Sequence, residues 1–241
     1  MRSLTAALAR VFVSLFGAIA LAGPSAATLW ITTPSTNDIQ SRVEALTKSY
    51  GVPMLGESEV PKTLAEGVIA TEDERFYQHH GIDSLGLARA MLYDVVNVCL
   101  CQGGSTVTEQ LVKDVYLGGS DRGRNKLVDM MLALKVERVI GKRQIMADYL
   151  SEIPSGYGRH GVVSAACAYF RAPLSGLTLG QYALLAGVTQ APSIYDPTVN
   201  PDAAYERRSE VLAAMQADHY ISAAQAAAAN AEPVISSGPG C

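Results

Sequence analysis

Apolar residues return along most of this chain every three to four positions, the repeat of a helix with one inward face. Val60, Leu64, Ala65, Val68 and Ile69 keep that spacing around Pro61, a residue suited to the first helical position. They predict a helix over 60–70 that delivers Glu72 at its C-terminal end. After Gly81, the residues Leu85, Ala88, Met91, Leu92, Val95, Val96 and Cys99 trace one apolar face and are expected in the core. The next helix is predicted to start at Thr106, where Thr106 and Glu109 have the spacing of a capping box. Leu127, Met130, Met131 and Leu134 mark another, with Lys126 and Asp129 on a face apart from most of that stripe. Ile145, Met146, Tyr149, Leu150 and Ile153 point inward from a helix over 142–153. Helices over 162–170, 179–189 (opened by a Thr178/Gln181 box) and 203–217 follow, the last carrying Arg207 and Arg208. An Ala-rich helix from Ser222 closes the series, and residues 233–241 are expected to lack regular structure. With no repeat and no convincing strand, the body is predicted to be all-α.

The N-terminal segment has a different pattern. Arg2 and Arg10 precede an apolar run from residue 11 to 22, and no further charge appears until Asp38. Extended through Trp30 and Ile31, the run reaches the roughly twenty residues that a bilayer requires. Basic residues on its near side predict a cytoplasmic N-terminus and an exported body. The favoured reading is one uncleaved transmembrane helix. The alternative is a cleaved signal peptide, since Ser25-Ala26-Ala27 resembles a small-residue cleavage site. Residues 32–58, rich in Ser, Thr and Pro with one weak amphipathic patch at Val43 and Leu46, are read as a linker or membrane-proximal arm. The expected division is therefore 1–31 anchor or signal segment, 32–58 linker, 59–220 domain and 221–241 tail.

Composition supports a single buried core: 49% of the 241 residues are hydrophobic and only 17% charged. A net charge of −4 excludes a global basic footprint, so nucleic acid is not an expected partner. Any anionic ligand must meet a local cluster of Lys and Arg. The four cysteines, Cys99, Cys101, Cys167 and Cys241, lack zinc-site spacing. In an oxidising compartment one of the close pair is a candidate to bridge Cys167; if reduced, all suit core positions.

Candidate chemistry concentrates in three places. Residues 72–81 hold three carboxylates, an Arg, two aromatics and two of the four histidines. A carboxylate ending an apolar helix is open to burial, which raises its pKa toward that of a useful base; the plainer reading is a solvated helix end. Gly103-Gly104-Ser105-Thr106 precedes a helix and forms a candidate anion site or a simple cap, with Gln110 and Lys113 three apart on that helix. Asp121-Arg122-Gly123-Arg124-Asn125-Lys126 is the densest basic cluster. His160, in a glycine-punctuated loop, is read as a packing residue.

The order of these segments resembles the peptidoglycan glycosyltransferases (family 51), the polymerising domain of bifunctional penicillin-binding proteins and its monofunctional relatives. Glu72-Asp73-x-x-Phe76-x-x-His79-x-Gly81 is similar to that family's first motif, and Gly104-Ser105-Thr106-x-Thr108-x-Gln110 to its second. Lys126 with Asp129 resembles the third, Lys142-x-x-Ile145-x-x-x-Tyr149-Leu150 running to Gly156-x-Gly158-x-x-Gly161 the fourth, and Arg208-x-x-Val211-Leu212 the fifth. The resemblance spans about 60–220. With no transpeptidase domain following, it points to the monofunctional, membrane-anchored form.

The resemblance implies a lysozyme-like helical lobe with a small membrane-facing lobe. The implied reaction polymerises lipid II into β-1,4 glycan strands, inverting C1 and expelling polyprenyl diphosphate. It makes Glu72 the general base and Asp129 the second carboxylate. Asp73, Phe76, His79, Ser105, Thr106, Gln110, Lys113, Arg122, Arg124 and Lys126 are then residues that bind substrate and diphosphate or order the base. No protein metal site is implied; a divalent cation, Mg or Mn, accompanying the lipid diphosphate is the one candidate cofactor. Expected partners are lipid II, the growing strand, the membrane and a cell-wall synthesis complex, with the domain on the extracytoplasmic side of the inner membrane.

Four positions depart from the family pattern: Asp129 for Glu, Asn125 for Arg, Glu109 for Gln and Ser151 for Asn. They predict reduced or specialised activity rather than loss of fold. Two other functions compete: a non-catalytic module that holds lipid II, and a lysozyme-like hydrolase using Glu72 as acid. A neutral glycan gives the Arg122–Lys126 cluster nothing to grip, which weighs against the hydrolase.

Overall fold

The computed structural model describes residues 23–97, 104–119, 126–235 and 241. The described chain is helical with no strand, holding only isolated bridges at His80–Ile82 and Pro154–His160. In order the helices are α1 (Gly23–Thr32), α2 (Ile39–Tyr50), α3 (Lys62–Glu72), α4 (Ser84–Asn97), α5 (Val107–Leu117), α6 (Lys126–Val136) and α7 (Lys142–Glu152). They continue as α8 (Val162–Phe170), α9 (Leu179–Val188), the single turn α10 (Pro192–Tyr195), α11 (Pro201–Ala217) and α12 (Ala223–Asn230).

Local side-chain chemistry sets several helix starts. Thr106, Thr178 and Ser222 each accept a hydrogen bond from the third residue of the following helix. Glu109, Gln181 and Gln225 return one to the cap residue's own N–H, completing three reciprocal boxes. Around these starts the core forms two linked groups. Helices α3, α9 and α11 pack together, and α5 lies against α6 and α7. Helix α7 is buried from Ile145 through Glu152 and takes α2 and α8 against it.

Four expectations change. The segment read as a linker, 32–58, contains α2, whose Ile39, Val43 and Thr47 are buried and whose Gln40 donates to Asp148 of α7 at 2.5 Å. Its few apolar residues are spaced to meet one neighbour, which a Ser/Thr-rich composition concealed. The face of α4 expected in the core is instead open: Leu85 and Leu92 are 67% exposed, Val95 and Val96 70%, and Ala90 is the helix's one buried residue. No other helix among the described residues packs extensively along α4. On α6 the buried face is Asp129, Leu132, Ala133 and Val136, while Leu127 is exposed; an almost continuous apolar sequence left the phase of that helix ambiguous. The tail also belongs to the packed body. Ala226 and Ala229 of α12 are buried, and Arg208 donates to the carbonyls of Asn230, Glu232 and Pro233. A disulfide joins Cys167 to Cys241 rather than to the close pair.

Residues 1–22, Cys99, Cys101, Arg122, Arg124 and Asn125 lie outside the described residues. No helix among the described residues is long and apolar enough to cross a membrane. Helix α1 covers the expected end of the anchor segment and is fastened to α6. The Lys135 ammonium donates to the carbonyls of Trp30 (2.8 Å), Thr33 (2.6 Å) and Pro34 (3.2 Å). Arg138 lies over the Trp30 ring at 4.4 Å, adding a cation–π contact.

Polar groups buried in α7 give stability a pH dependence. Ser151, the departure from Asn, accepts from Leu55 N at 2.8 Å and donates to Ala147 O at 2.7 Å, so the shorter side chain is fully used. Asp148 is fully buried, and desolvation pushes its carboxyl up to about 6 despite the amides of Gln144 and Gln40. A carboxyl raised in the folded state stabilises below its unfolded pKa, and that contribution is lost as pH rises through the folded value. For about two pKa units the loss is about 3 kcal/mol between pH 4 and 7. Urea unfolding of wild type and Asp148→Asn across that range checks this: the variant is expected to gain on wild type as pH rises. Parallel pH profiles would remove Asp148 as the cause.

Candidate active site

Glu72 is the last residue of α3, and its carboxylate is shielded from solvent. Gln110 Nε2 donates to Glu72 Oε2 at 3.1 Å, and Arg207 Nη2 reaches Oε1 at 3.3 Å. The amide is itself oriented, because Tyr149 OH donates to Gln110 Oε1 at 3.2 Å. Burial pushes the Glu72 carboxyl above its ordinary range, and the Asp73 charge adds to that rise; the Gln110 donor and the Arg207 charge pull it back. A carboxylate so placed is ionised and still a better base than a solvated one. Arg207 reaches it from α11 by crossing Gly187. A Cβ on that glycine would lie 2.8 Å from Arg207 Cγ, and the Gly187 carbonyl accepts from Arg207 Nε at 3.2 Å.

Asp73, the next residue, points the other way and organises the loop. Its Oδ2 accepts from Val107 N at 3.0 Å, satisfying a free N–H at the start of α5, and its Oδ1 lies 2.8 Å from His79 Nε2. The other His79 ring nitrogen faces Lys142 Nζ at 3.4 Å. An ammonium has no lone pair, so Nδ1 is the acceptor and Nε2–H donates to Asp73. Lys142 also lies over the Phe76 ring at 4.3 Å and donates to Glu137 at 2.7 Å, while Thr108 holds that same carboxylate at 2.6 Å. At Gly81, with φ of +85°, a Cβ would come within 2.7 Å of the Ala133 backbone, so glycine alone brings this loop onto α6.

The loop before α5 forms the other side of the site. A small cavity of 70 Å³ is lined by Glu72, Asp73, Ser105 and Thr106 together with Arg89 and Leu87 of α4. The Thr106 hydroxyl faces inward, donating to Gly81 O at 2.7 Å and accepting from Glu109 N at 3.1 Å. Ser105 is exposed, and its Oγ accepts from Lys126 Nζ at 2.7 Å. Lys126 Nζ also lies 3.2 Å from Glu109 Oε1. The structure therefore groups Glu72, Gln110 and Tyr149 in one cluster, Asp73, Phe76 and His79 in a second, and Ser105, Lys126 and Glu109 in a third. Asp129 is buried on α6, and its charge acts on Glu109, whereas the charges acting on Glu72 are those of Arg207 and Asp73. Lys113 is partly buried on α5, and its charge acts on the buried Glu152. His160 stacks on Tyr50 at 3.5 Å between ring centres, a packing role as expected.

Sequence reasoning missed Arg207 as a site residue. The signal was present in the Arg207-Arg208 pair on an apolar helix, since a buried guanidinium requires a carboxylate partner. The identity of that carboxylate, 135 residues away, was visible only in the fold.

A shielded carboxylate at a helix end, ordered by an amide and a guanidinium beside a hydroxyl- and lysine-bearing loop, defines an acid–base site in an all-helical domain. The chain belongs to the transglycosylase family, whose model matches residues 40–216, a span that takes in most of α2. It is 40% identical over 177 residues to penicillin-binding protein 1A of Vibrio cholerae, covering 73% of this chain and 22% of that protein. To penicillin-binding protein 1A of Haemophilus influenzae it is 39% identical over 180 residues, covering 75% of this chain and 21% of the relative. To penicillin-binding protein 1F of Bacillus subtilis it is 37% identical over 172 residues, covering 71% and 24%. The chain thus spans less than a quarter of the length of the curated relatives it matches.

Proposed function

We propose that this domain is a peptidoglycan glycosyltransferase that joins lipid II units into β-1,4 glycan strands. The observation that carries the reading is the Glu72 carboxylate, buried enough to be basic and held ionised by Arg207 at 3.3 Å. In this reading the 4-hydroxyl of the incoming unit attacks C1 of the growing strand, Glu72 takes its proton, C1 inverts, and polyprenyl diphosphate leaves. Developing negative charge on the diphosphate is met by Lys126 and the exposed Ser105 loop, with Lys113, Arg122 and Arg124 as further cations. Asp129 contributes as a second carboxylate through its influence on this cationic edge. Any Mg or Mn enters with the diphosphate; among the described residues no group of three or more His, Cys, Asp or Glu is placed to hold a metal.

The open apolar face of α4, beside the Glu72 cavity, supports the small membrane-facing lobe of a lysozyme-like fold, because Leu85, Leu92, Val95 and Val96 have no protein cover. With the apolar N-terminal segment as a single span, the domain sits on the extracytoplasmic face of the inner membrane. There it reaches a substrate that stays in the bilayer and is available to a cell-wall synthesis complex. The test is incubation of the purified full chain with lipid II in vesicles, followed by separation of products by glycan length. Polymer that a muramidase digests is expected; binding without turnover, or shortening of preformed glycan, overturns the reading.

A further inference from the structure

Glu109 does more than close a helix end. The other two reciprocal boxes, Thr178/Gln181 and Ser222/Gln225, serve α9 and α12 with a neutral Gln at the same position. Both are exposed, whereas the Glu109 side chain is only 2% exposed. A cap alone therefore needs no charge here, and a buried charge needs a partner. One Glu109 oxygen, Oε2, accepts from Thr106 N at 2.8 Å and does the capping. The other, Oε1, accepts no hydrogen bond and faces Lys126 Nζ at 3.2 Å. Lys126 itself is 41% exposed and reaches over the Ser105 hydroxyl at 2.7 Å, at the edge of the cavity beside Glu72. From α6, the buried Asp129 adds a second negative charge to the same cluster.

We propose that Glu109 is a positioning residue acting through Lys126, an internal counter-anion that holds the lysine at the anion site and competes with diphosphate for it. This rests on the reading of the Ser105–Lys126 edge as the diphosphate site. Without a ligand, the ammonium is already neutralised and fixed in place. When the leaving group forms, it shares Lys126 with a carboxylate that cannot move away, because its other oxygen is tied to Thr106 N. Binding is weakened, and the expelled diphosphate is released faster. A neutral amide at this position keeps the cap, as the two Gln boxes demonstrate, and removes the competitor.

The test measures binding of inorganic diphosphate to the full chain in detergent by calorimetry, for wild type, Glu109→Gln and Lys126→Ala, at low and moderate salt. Steady-state polymerisation of lipid II is measured in parallel. Glu109→Gln is expected to tighten diphosphate binding about three- to tenfold, the size of one partly exposed charge interaction. It should also steepen the salt dependence, and lower KM while kcat falls as release slows. Lys126→Ala should erase the difference when combined with Glu109→Gln. A merely structural Glu109 would leave affinity, salt slope and the KM-to-kcat split unchanged once thermal melts show the variant folded, and that result overturns the inference alone. Diphosphate binding by neither wild type nor Glu109→Gln overturns the diphosphate-site reading along with it.

Discussion

Replacing Glu72 with Gln is expected to reduce glycan polymerisation by at least about a hundredfold while leaving the folded domain intact. The amide matches the carboxylate in shape and still accepts from Arg207 and Gln110, but it cannot take a proton from a sugar hydroxyl. Burial is the largest influence on Glu72 and raises its pKa, so removing the charge relieves a desolvation penalty and gives no reason for unfolding. The same shift predicts the acid side of the activity profile. The base must be ionised to work, so activity falls as pH drops through the Glu72 pKa, at a higher pH than an ordinary solvated carboxylate would give. Both are read by lipid II polymerisation from pH 4 to 8, with melting temperatures as the control. Full activity in Glu72→Gln would dismiss Glu72 as the base, and loss of activity with loss of fold would reassign it to structure.

What the sequence made legible follows from the range of each interaction. Helix starts at Thr106, Thr178 and Ser222 depend on a side chain three residues away, and they lie where the spacing predicted. The first two motifs were likewise legible as local strings. Periodicity could not say what covers a face: the stripe on α4 is truly helical, yet it is open because nothing in the described residues packs along it. On α6 the run from Val128 to Leu134 left the phase undetermined, and the fold chose the face containing Asp129. Contacts between distant elements were beyond reach of any local rule. Arg207 with Glu72, Gln40 with Asp148, and Cys167 with Cys241 are each set by how the helices cross. Glu109 is intermediate: it was legible as a cap but not as the partner of Lys126.

Asp73→Asn should be the most damaging conservative change in the loop, and through stability rather than chemistry. Asp73 is buried and accepts at both oxygens, from Val107 N at 3.0 Å and from His79 Nε2 at 2.8 Å. An amide offers one oxygen. If it keeps the Val107 N–H, its NH₂ group faces His79 Nε2, and the ring must move its proton to Nδ1 to accept. That proton would then face the Lys142 ammonium, now 3.4 Å from Nδ1, and two donors would confront each other in a buried site. If the amide turns around, Val107 N at the start of α5 loses its acceptor instead. Either arrangement leaves a buried polar group unsatisfied and removes a carboxylate from a helix N-terminus, a loss of about 2–4 kcal/mol. Because this one side chain ties the first motif to the second, polymerisation should fall with stability, unlike in Glu72→Gln. Urea unfolding with polymerisation measured on the same samples distinguishes the two: Asp73→Asn should lower the midpoint, and an unchanged midpoint with activity intact would show that the loop is held some other way.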